Sequence, residues 1–286
     1  MSRNILLVTC PDARGIVAAL SGFLAGHGAN ILEVDQTVLP EDALFCARFA
    51  WEGGDGALSG EGFASAFSPL AARFSIRHEL FDAAKKMQMG LLVSREAHCF
   101  HDILARVEDG EWNVDVPLVV SNHESLAPIA RRQGIPFEVV PVPKDDPAGK
   151  AAAFARTEAL FREAGCDFLV LARYMQIVPP SLIAAWPMKI VNIHHSFLPA
   201  FAGAKPYAAA CRRGVKLIGA TAHYVTENLD EGPIIEQDVR RVTHREGVED
   251  LVRIGRDIEK VVLSRAIRWH LEHRILVHAN RTVVFA

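Results

Sequence analysis

Asn192 and His194 stand two residues apart in Asn192-Ile193-His194-His195-Ser196-Phe197-Leu198-Pro199, and Asp230 follows in Leu229-Asp230-Glu231-Gly232-Pro233. Amide, imidazole and carboxylate are the groups that acyl transfer to water or an amine needs. The amide of Asn192 can donate to a developing oxyanion, and one such donor is worth roughly 10² to 10³ in rate. Protonated His194 can stabilise the same charge and pass a proton to the departing nitrogen. Asp230 can hold that imidazolium and orient or deprotonate a water, and general acid-base work of this kind contributes roughly 10² to 10⁴.

Strands must position these groups. The apolar run from Met188 to Ile193 reads as a buried strand, and residues i and i+2 of a strand share a face, so Asn192 and His194 point the same way as it ends. Asp230 lies in a Gly/Pro-marked turn between the strand-like runs 217–225 and 234–239. Upstream, from Met89, strands predicted at 90–94, 116–121, 137–142 and 166–171 alternate with helices at 100–107, 125–132 and 150–164. Shorter helices at 181–186 and 208–213 flank the site strand, a long helix over 247–271 clamps the sheet, and a tail at 275–285 makes a hairpin. Repeated β-α units with uninterrupted apolar strands imply a mostly parallel sheet with its ligand beyond the carboxyl ends of the strands.

Ahead of this pattern lies another. A strand at 5–10, a helix from Ile16, strands at 30–39 and 43–51, a helix at 63–73 and a strand at 74–80 give the order βαββαβ, a compact α+β sandwich. We expect an α/β chain of two domains, 1–82 and 83–286, with a polar junction around Lys85 and Lys86.

Half of the 286 residues are apolar, enough for a core in each domain. A net charge of −3 gives no general attraction to nucleic acid or an anionic membrane, which leaves small molecules or copies of the chain itself as partners. The five cysteines, Cys10, Cys46, Cys99, Cys166 and Cys211, are odd in number and widely spaced, as expected of reduced thiols in a cytosolic compartment. Neither a signal-peptide pattern nor a bilayer-length apolar span is visible, so a cytoplasmic protein is expected.

Asp12-Ala13-Arg14-Gly15-Ile16-Val17 with Gly28-Ala29-Asn30-Ile31 resembles the ligand-binding elements of an ACT domain. Such domains commonly pair and bind small amino acids, so the resemblance implies a homo-oligomer, dimer or tetramer, and an effector held by Asp12, Arg14, Gly15, Ile16, Asn30 and Ile31. A helix N-terminus favours a carboxylate. The same residues also read as a helix cap and turns of a purely oligomerising domain. Asn192 to Pro199, with Gly219 to Val225 and Leu229 to Ile235, resembles the formyltransferase family that uses 10-formyltetrahydrofolate, from about Met87 to the last helix. With the ACT-like front, and with 194–201 followed by Gly203-Ala204-Lys205-Pro206-Tyr207, the whole chain is similar to the formyltetrahydrofolate deformylase family. Its members hydrolyse 10-formyltetrahydrofolate to formate and tetrahydrofolate, supplying formate for purine synthesis and balancing the one-carbon folate pool.

That resemblance implies a ferredoxin-like front, a Rossmann-like formyltransferase domain, and catalytic assignment for Asn192, His194 and Asp230 only. It places the pterin against 172–177 and the turn 229–232, so Met175, Ile177, Leu229 and Gly232 are expected substrate contacts. A flat ring suits an apolar slot with few polar anchors. Folate is then the substrate, and no tightly bound cofactor or metal is expected. His223 lies on a strand bordering the site, as substrate-side polar support or as core packing, and Lys205 is a candidate for a substrate carboxylate. His195 should face away from His194, and Cys99 reads as helix packing. Related glycinamide ribonucleotide transformylases carry a glycine-rich phosphate loop where this chain reads Ser94-Arg95-Glu96-Ala97-His98-Cys99, which speaks against a phosphorylated amine acceptor. A methionyl-tRNA formyltransferase would need an RNA-binding domain after the long helix, and little chain follows it.

Overall fold

The computed structural model describes residues 3–199 and 206–286, and the chain divides into two compact units. Met1–Lys85 with Glu272–Leu276 and Val283–Ala286 form the first, and Lys86–Leu271 with Val277–Thr282 form the second.

The first unit has the order β1 (Arg3–Pro11), α1 (Ile16–Gly26), β2 (Ala29–Leu39), β3 (Leu44–Gly53), α2 (Gly60–Phe74), β4 (Arg77–Asp82). All pairs in its sheet, β2-β3-β1-β4, are antiparallel, so the predicted βαββαβ unit is ferredoxin-like. Alternation along the two central strands makes two cores. Leu6 and Val8 with Phe45, Phe49 and Trp51 pack against Ile16, Leu20, Phe63 and Phe67 of the helices. On the opposite face Leu7, Leu44 and Cys46 pack with Leu276 and Phe285. That face also buries Arg48, whose fork donates to Glu33 at 2.7 Å and to the carbonyls of Glu272 and His273, both at 3.2 Å. A buried guanidinium is tolerated only with such pairing.

In the second unit come β5 (Met87–Val93), α3 (His98–Glu108), β6 (Val114–Ser121), α4 (Ala127–Arg132), β7 (Phe137–Val139), α5 (Pro147–Glu163) and β8 (Phe168–Ala172). They are followed by α6 (Pro180–Ala185), β9 (Ile190–His194), α7 (Pro206–Arg213), β10 (Leu217–Tyr224), β11 (Ile234–Arg241) and α8 (Val248–Leu271). The sheet order is β11-β10-β9-β8-β5-β6-β7. Strands β9 to β7 run parallel, whereas β10 and β11 are antiparallel, which makes the mostly parallel sheet that was expected. Its inner strands are largely buried on both faces, β8 completely, while the edge strands β7 and β11 are mostly half-buried or exposed. A last pair, β12 (Ile275–His278) and β13 (Arg281–Val284), makes the tail hairpin.

Two boundaries differ from expectation for local reasons. Met188 adopts a left-handed backbone, φ 53°, so the site strand begins at Ile190 and runs to His194 as its last residue. Helix α5 starts at Pro147, not Lys150, because Asp146 accepts a hydrogen bond from the Gly149 N–H and Pro147 occupies the first turn. Among the described residues no helix is long and apolar enough to cross a membrane, and all five cysteines are free.

Candidate active site

Strands β9 and β10 bring the polar groups together. In this antiparallel pair His223 lies opposite Asn192 and Thr221 opposite His194, and opposed residues share a face. Asp230 reaches the cluster from the loop between β10 and β11, with a left-handed backbone of φ 57° that aspartate adopts more readily than most residues. Two features fold that loop back. A Cβ on Gly232 would overlap the Tyr224 carbonyl oxygen and sit 3.3 Å from His223 Nδ1, so only glycine fits. Asn280 Nδ2 donates to the Glu231 carbonyl at 2.8 Å, and Thr282 Oγ1 to that of Ile234 at 2.6 Å.

The hydrogen bonds fix tautomers. Asp230 Oδ2 lies 3.2 Å from His194 Nδ1. A carboxylate only accepts, so Nδ1 carries the proton and Nε2 is the atom left for other work. That Nε2 is buried and has no hydrogen-bond partner among the described residues. His223 Nδ1 donates to the Tyr224 carbonyl at 2.9 Å, which leaves Nε2 of the neutral ring as an acceptor for Asn192 Nδ2 at 3.1 Å. One of the two amide hydrogens of Asn192 is thus committed, and the other has no partner among the described residues. His223 Nε2 is also 3.7 Å from Asp230 Oδ1. The hydrogen bond from His194, the largest cause, holds the Asp230 carboxyl far below its ordinary 3.8. Asp230 is therefore an anion at any pH at which an enzyme of this kind works.

A second polar cluster lies beside this one. Glu259, on α8 and 1% exposed, accepts from Tyr207 Oη at 2.6 Å, is 2.7 Å from His98 Nε2 and 3.3 Å from Arg173 Nε. Burial pushes its carboxyl up, but the His98 hydrogen bond, the Arg173 charge and the Tyr207 hydroxyl outweigh that and hold it below 4.5. His195 joins the clusters, its ring centroid 5.3 Å from that of His194 and 6.0 Å from that of Tyr207. Burial, then the Arg173 charge, push His195 down to about 4, so it is neutral at pH 7. His98, Cys99 and Glu259 place one ligand atom each within 4.8 Å of one another. The carboxylate is already committed to His98 and Tyr207 by hydrogen bonds and to Arg173 as an ion pair, and burial foremost holds the Cys99 thiol well above 9.0, which disfavours the thiolate a metal would need.

Of the residues singled out from sequence, the fold thus joins Asn192, His194, His223, Asp230 and Gly232. Met175 and Ile177, in the loop after β8, and Leu229, before Asp230, are 55%, 59% and 61% exposed. Lys205 lies outside the described residues. In the first unit a cavity of about 460 Å³ is lined by Asp12, Gly15 and Ile16 together with Gln36, Thr37 and Phe45. Arg14, Asn30 and Ile31 are not part of its lining; Asn30 donates to Glu52 at 3.2 Å at the other end of β2. Sequence reasoning missed Glu259 and the cluster it forms with Arg173 and Tyr207. Glu259 left a trace, being an acid on the stripe of α8 that buries Leu251, Gly255, Ile258 and Val262.

Residues 87–267 match the Formyl transferase family. The formyltetrahydrofolate deformylase of Bacillus subtilis (strain 168) is 46% identical over 281 residues, covering 98% of this chain and 93% of its own. A crystal structure of a formyltetrahydrofolate deformylase from Pseudomonas syringae pv. tomato superposes with a TM-score of 0.95 at 48% identity, covering 100% of this chain and 95% of that one. A glycinamide ribonucleotide transformylase from Symbiobacterium toebii shares the fold at TM-score 0.65 and 32% identity, over 70% of this chain and 95% of that one. With a ferredoxin-like front ahead of the formyl transferase unit, and relatives that match both along nearly the whole length, the chain belongs to the formyltetrahydrofolate deformylase family.

Proposed function

We propose that the chain hydrolyses 10-formyltetrahydrofolate to formate and tetrahydrofolate, with Asn192, His194 and Asp230 touching the reacting atoms. The observation that carries this is His194 Nε2, buried and without a hydrogen-bond partner among the described residues, while Asp230 holds the opposite ring nitrogen and Asn192 lies two residues back on the same face of β9. Water adds to the formyl carbon, the oxygen's developing charge meets Asn192 and His194, and the C–N10 bond then breaks as N10 takes a proton. Asp230 Oδ2 keeps His194 oriented, and its Oδ1 is in place to orient the water. His223 works through Asn192: both its ring nitrogens are engaged within the protein, so its part is to fix the plane of the amide. Met175, Ile177 and Leu229 offer apolar surface to the folate ring. Purified protein and 10-formyltetrahydrofolate, mixed without any amine, should release formate and tetrahydrofolate in equal amounts. Release that waits for an added amine would leave a transferase instead.

The first unit supports a second, finer assignment. Strand β2 is an edge strand of 11 residues with Leu32, Val34 and Val38 exposed, and such an edge favours pairing with another chain. A second copy of this chain is the proposed partner, and the cavity at Asp12, Gly15 and Ile16 the proposed place for a small amino-acid effector. A Leu32→Lys/Val34→Lys variant should sediment as a smaller species than the parent at the same concentration; an unchanged sedimentation coefficient removes β2 from the interface. Calorimetric titration with small amino acids checks the effector, and no heat with any of them sinks it.

A further inference from the structure

We infer that the buried cluster of His98, Arg173, Tyr207 and Glu259 restricts the acyl acceptor to water. This rests on the hydrolase function proposed above and adds the residues that set its specificity. In an open, mostly parallel sheet, ligands sit beyond the carboxyl ends of the strands at the point where strand order reverses. Here the chain builds outward from β5 through β6 to β7, then returns to β8 on the other side of β5. The reversal falls between β5 and β8. The segment leaving β5 carries Glu96 in its loop and His98 at the start of α3, and the loop leaving β8 carries Arg173 in a left-handed backbone of φ 63°.

Both loops are drawn onto α8. Arg256 Nη2 donates to Glu96 Oε2 at 2.6 Å, while His98 and Arg173 meet the same Glu259 oxygen. Tyr207 closes the cluster from α7, donating to the other Glu259 oxygen. Its ring lies against Gly255, where a Cβ would overlap the phenol, so the helix has been cut back to admit that ring. The crevice in which this class of sheet seats a ligand is therefore occupied by the protein's own side chains. His195, in ring contact distance of both His194 and Tyr207, is the wall it shares with the reacting centre.

The chemistry at His194 does not itself choose water. With water, a C–O bond forms as the C–N10 bond breaks, one proton of the water ends on N10 and the other leaves with formate's ionisation. With a primary amine, a C–N bond forms in its place and one amine proton ends on N10. A glycinamide ribonucleotide transformylase shares this fold, so the restriction lies in the side chains and not in the architecture. Water passes where an amine-bearing molecule finds Tyr207 and His98.

The test is to supply 10-formyltetrahydrofolate, labelled at the formyl carbon, together with glycinamide, and to measure N-formylglycinamide against formate. The parent protein should give formate alone. Tyr207→Ala and His98→Ala should raise the ratio of formylated amine to formate by about tenfold or more, the scale on which one side chain discriminates in a pocket. Tyr207→Phe keeps the ring and loses only the hydroxyl, and should hold the parent ratio. Folded variants that release formate with an unchanged ratio overturn the inference, as does a parent that already formylates glycinamide. Should Tyr207→Ala fail to fold, His98→Ala against the parent decides. A parent that releases no formate counts against the hydrolase function and not against the cluster.

Discussion

Replacing Asp230 by asparagine should slow turnover by roughly 10³ to 10⁴ while tetrahydrofolate still binds within a few-fold, because general acid-base assistance is lost and the binding surface is kept. Asparagine tolerates the left-handed backbone that residue 230 adopts at φ 57°, so the substitution changes the charge and little else. The parent carboxyl titrates far below 3.8, so it is ionised at every working pH and the defect should not be recovered by raising the pH. Its depressed native pKa also makes a stability statement. The stabilisation is fully present above the unfolded carboxyl's value and fades only as pH falls toward the native one. Parent and variant should therefore differ in melting temperature at pH 7, and the gap should close on strong acidification. Steady-state kinetics and thermal melts over pH check both halves. Near-normal turnover would remove Asp230 from the mechanism.

What the sequence made legible follows the range of the interactions involved. Asn192 and His194 were readable as neighbours because a strand's period of two is local, and the apolar run ending at Ile193 declared the strand. The pairing of His223 with Asn192 was not, since the register between β9 and β10 is set by the sheet and has no trace in either strand alone. The βαββαβ front and the parallel sheet were legible as a change in pattern near Met87. The early start of α5 was also present in the sequence, in Asp146-Pro147, but it looks like a turn until the Gly149 N–H is seen to be capped. Glu259 is the instructive miss. Its partners His98 and Tyr207 lie 161 and 52 residues away, and an acid on an apolar helix face announces only that some partner exists. Asn30 and Ile31 were grouped with Asp12 by likeness of motif, whereas strand length separates them along β2 from the cavity that Gln36 and Thr37 help to line.

His194→Ala should be the most damaging single change, with single-turnover formate release slowed by at least about 10³, since it removes both the charge facing the oxyanion and the proton donor for N10. Its coupling to Asp230 gives the sharper result. Asp230 Oδ2 holds His194 Nδ1 at 3.2 Å, and the oriented Nε2 is what the ion pair presents to the substrate. Groups that act as one unit do not lose rate additively. In the His194→Ala background, Asp230→Asn should therefore cost clearly less than it costs in the parent, the remainder being its hold on the water, whereas two independent groups would multiply their losses. His223 provides the contrast. It reaches the reaction only by way of the Asn192 amide, so His223→Ala should cost no more than Asn192→Ala, and adding it to Asn192→Ala should change nothing further. A fully multiplicative loss in the His194/Asp230 pair would mean that Asp230 acts on the water independently of the imidazole and that its contact with His194 Nδ1 contributes nothing to the rate.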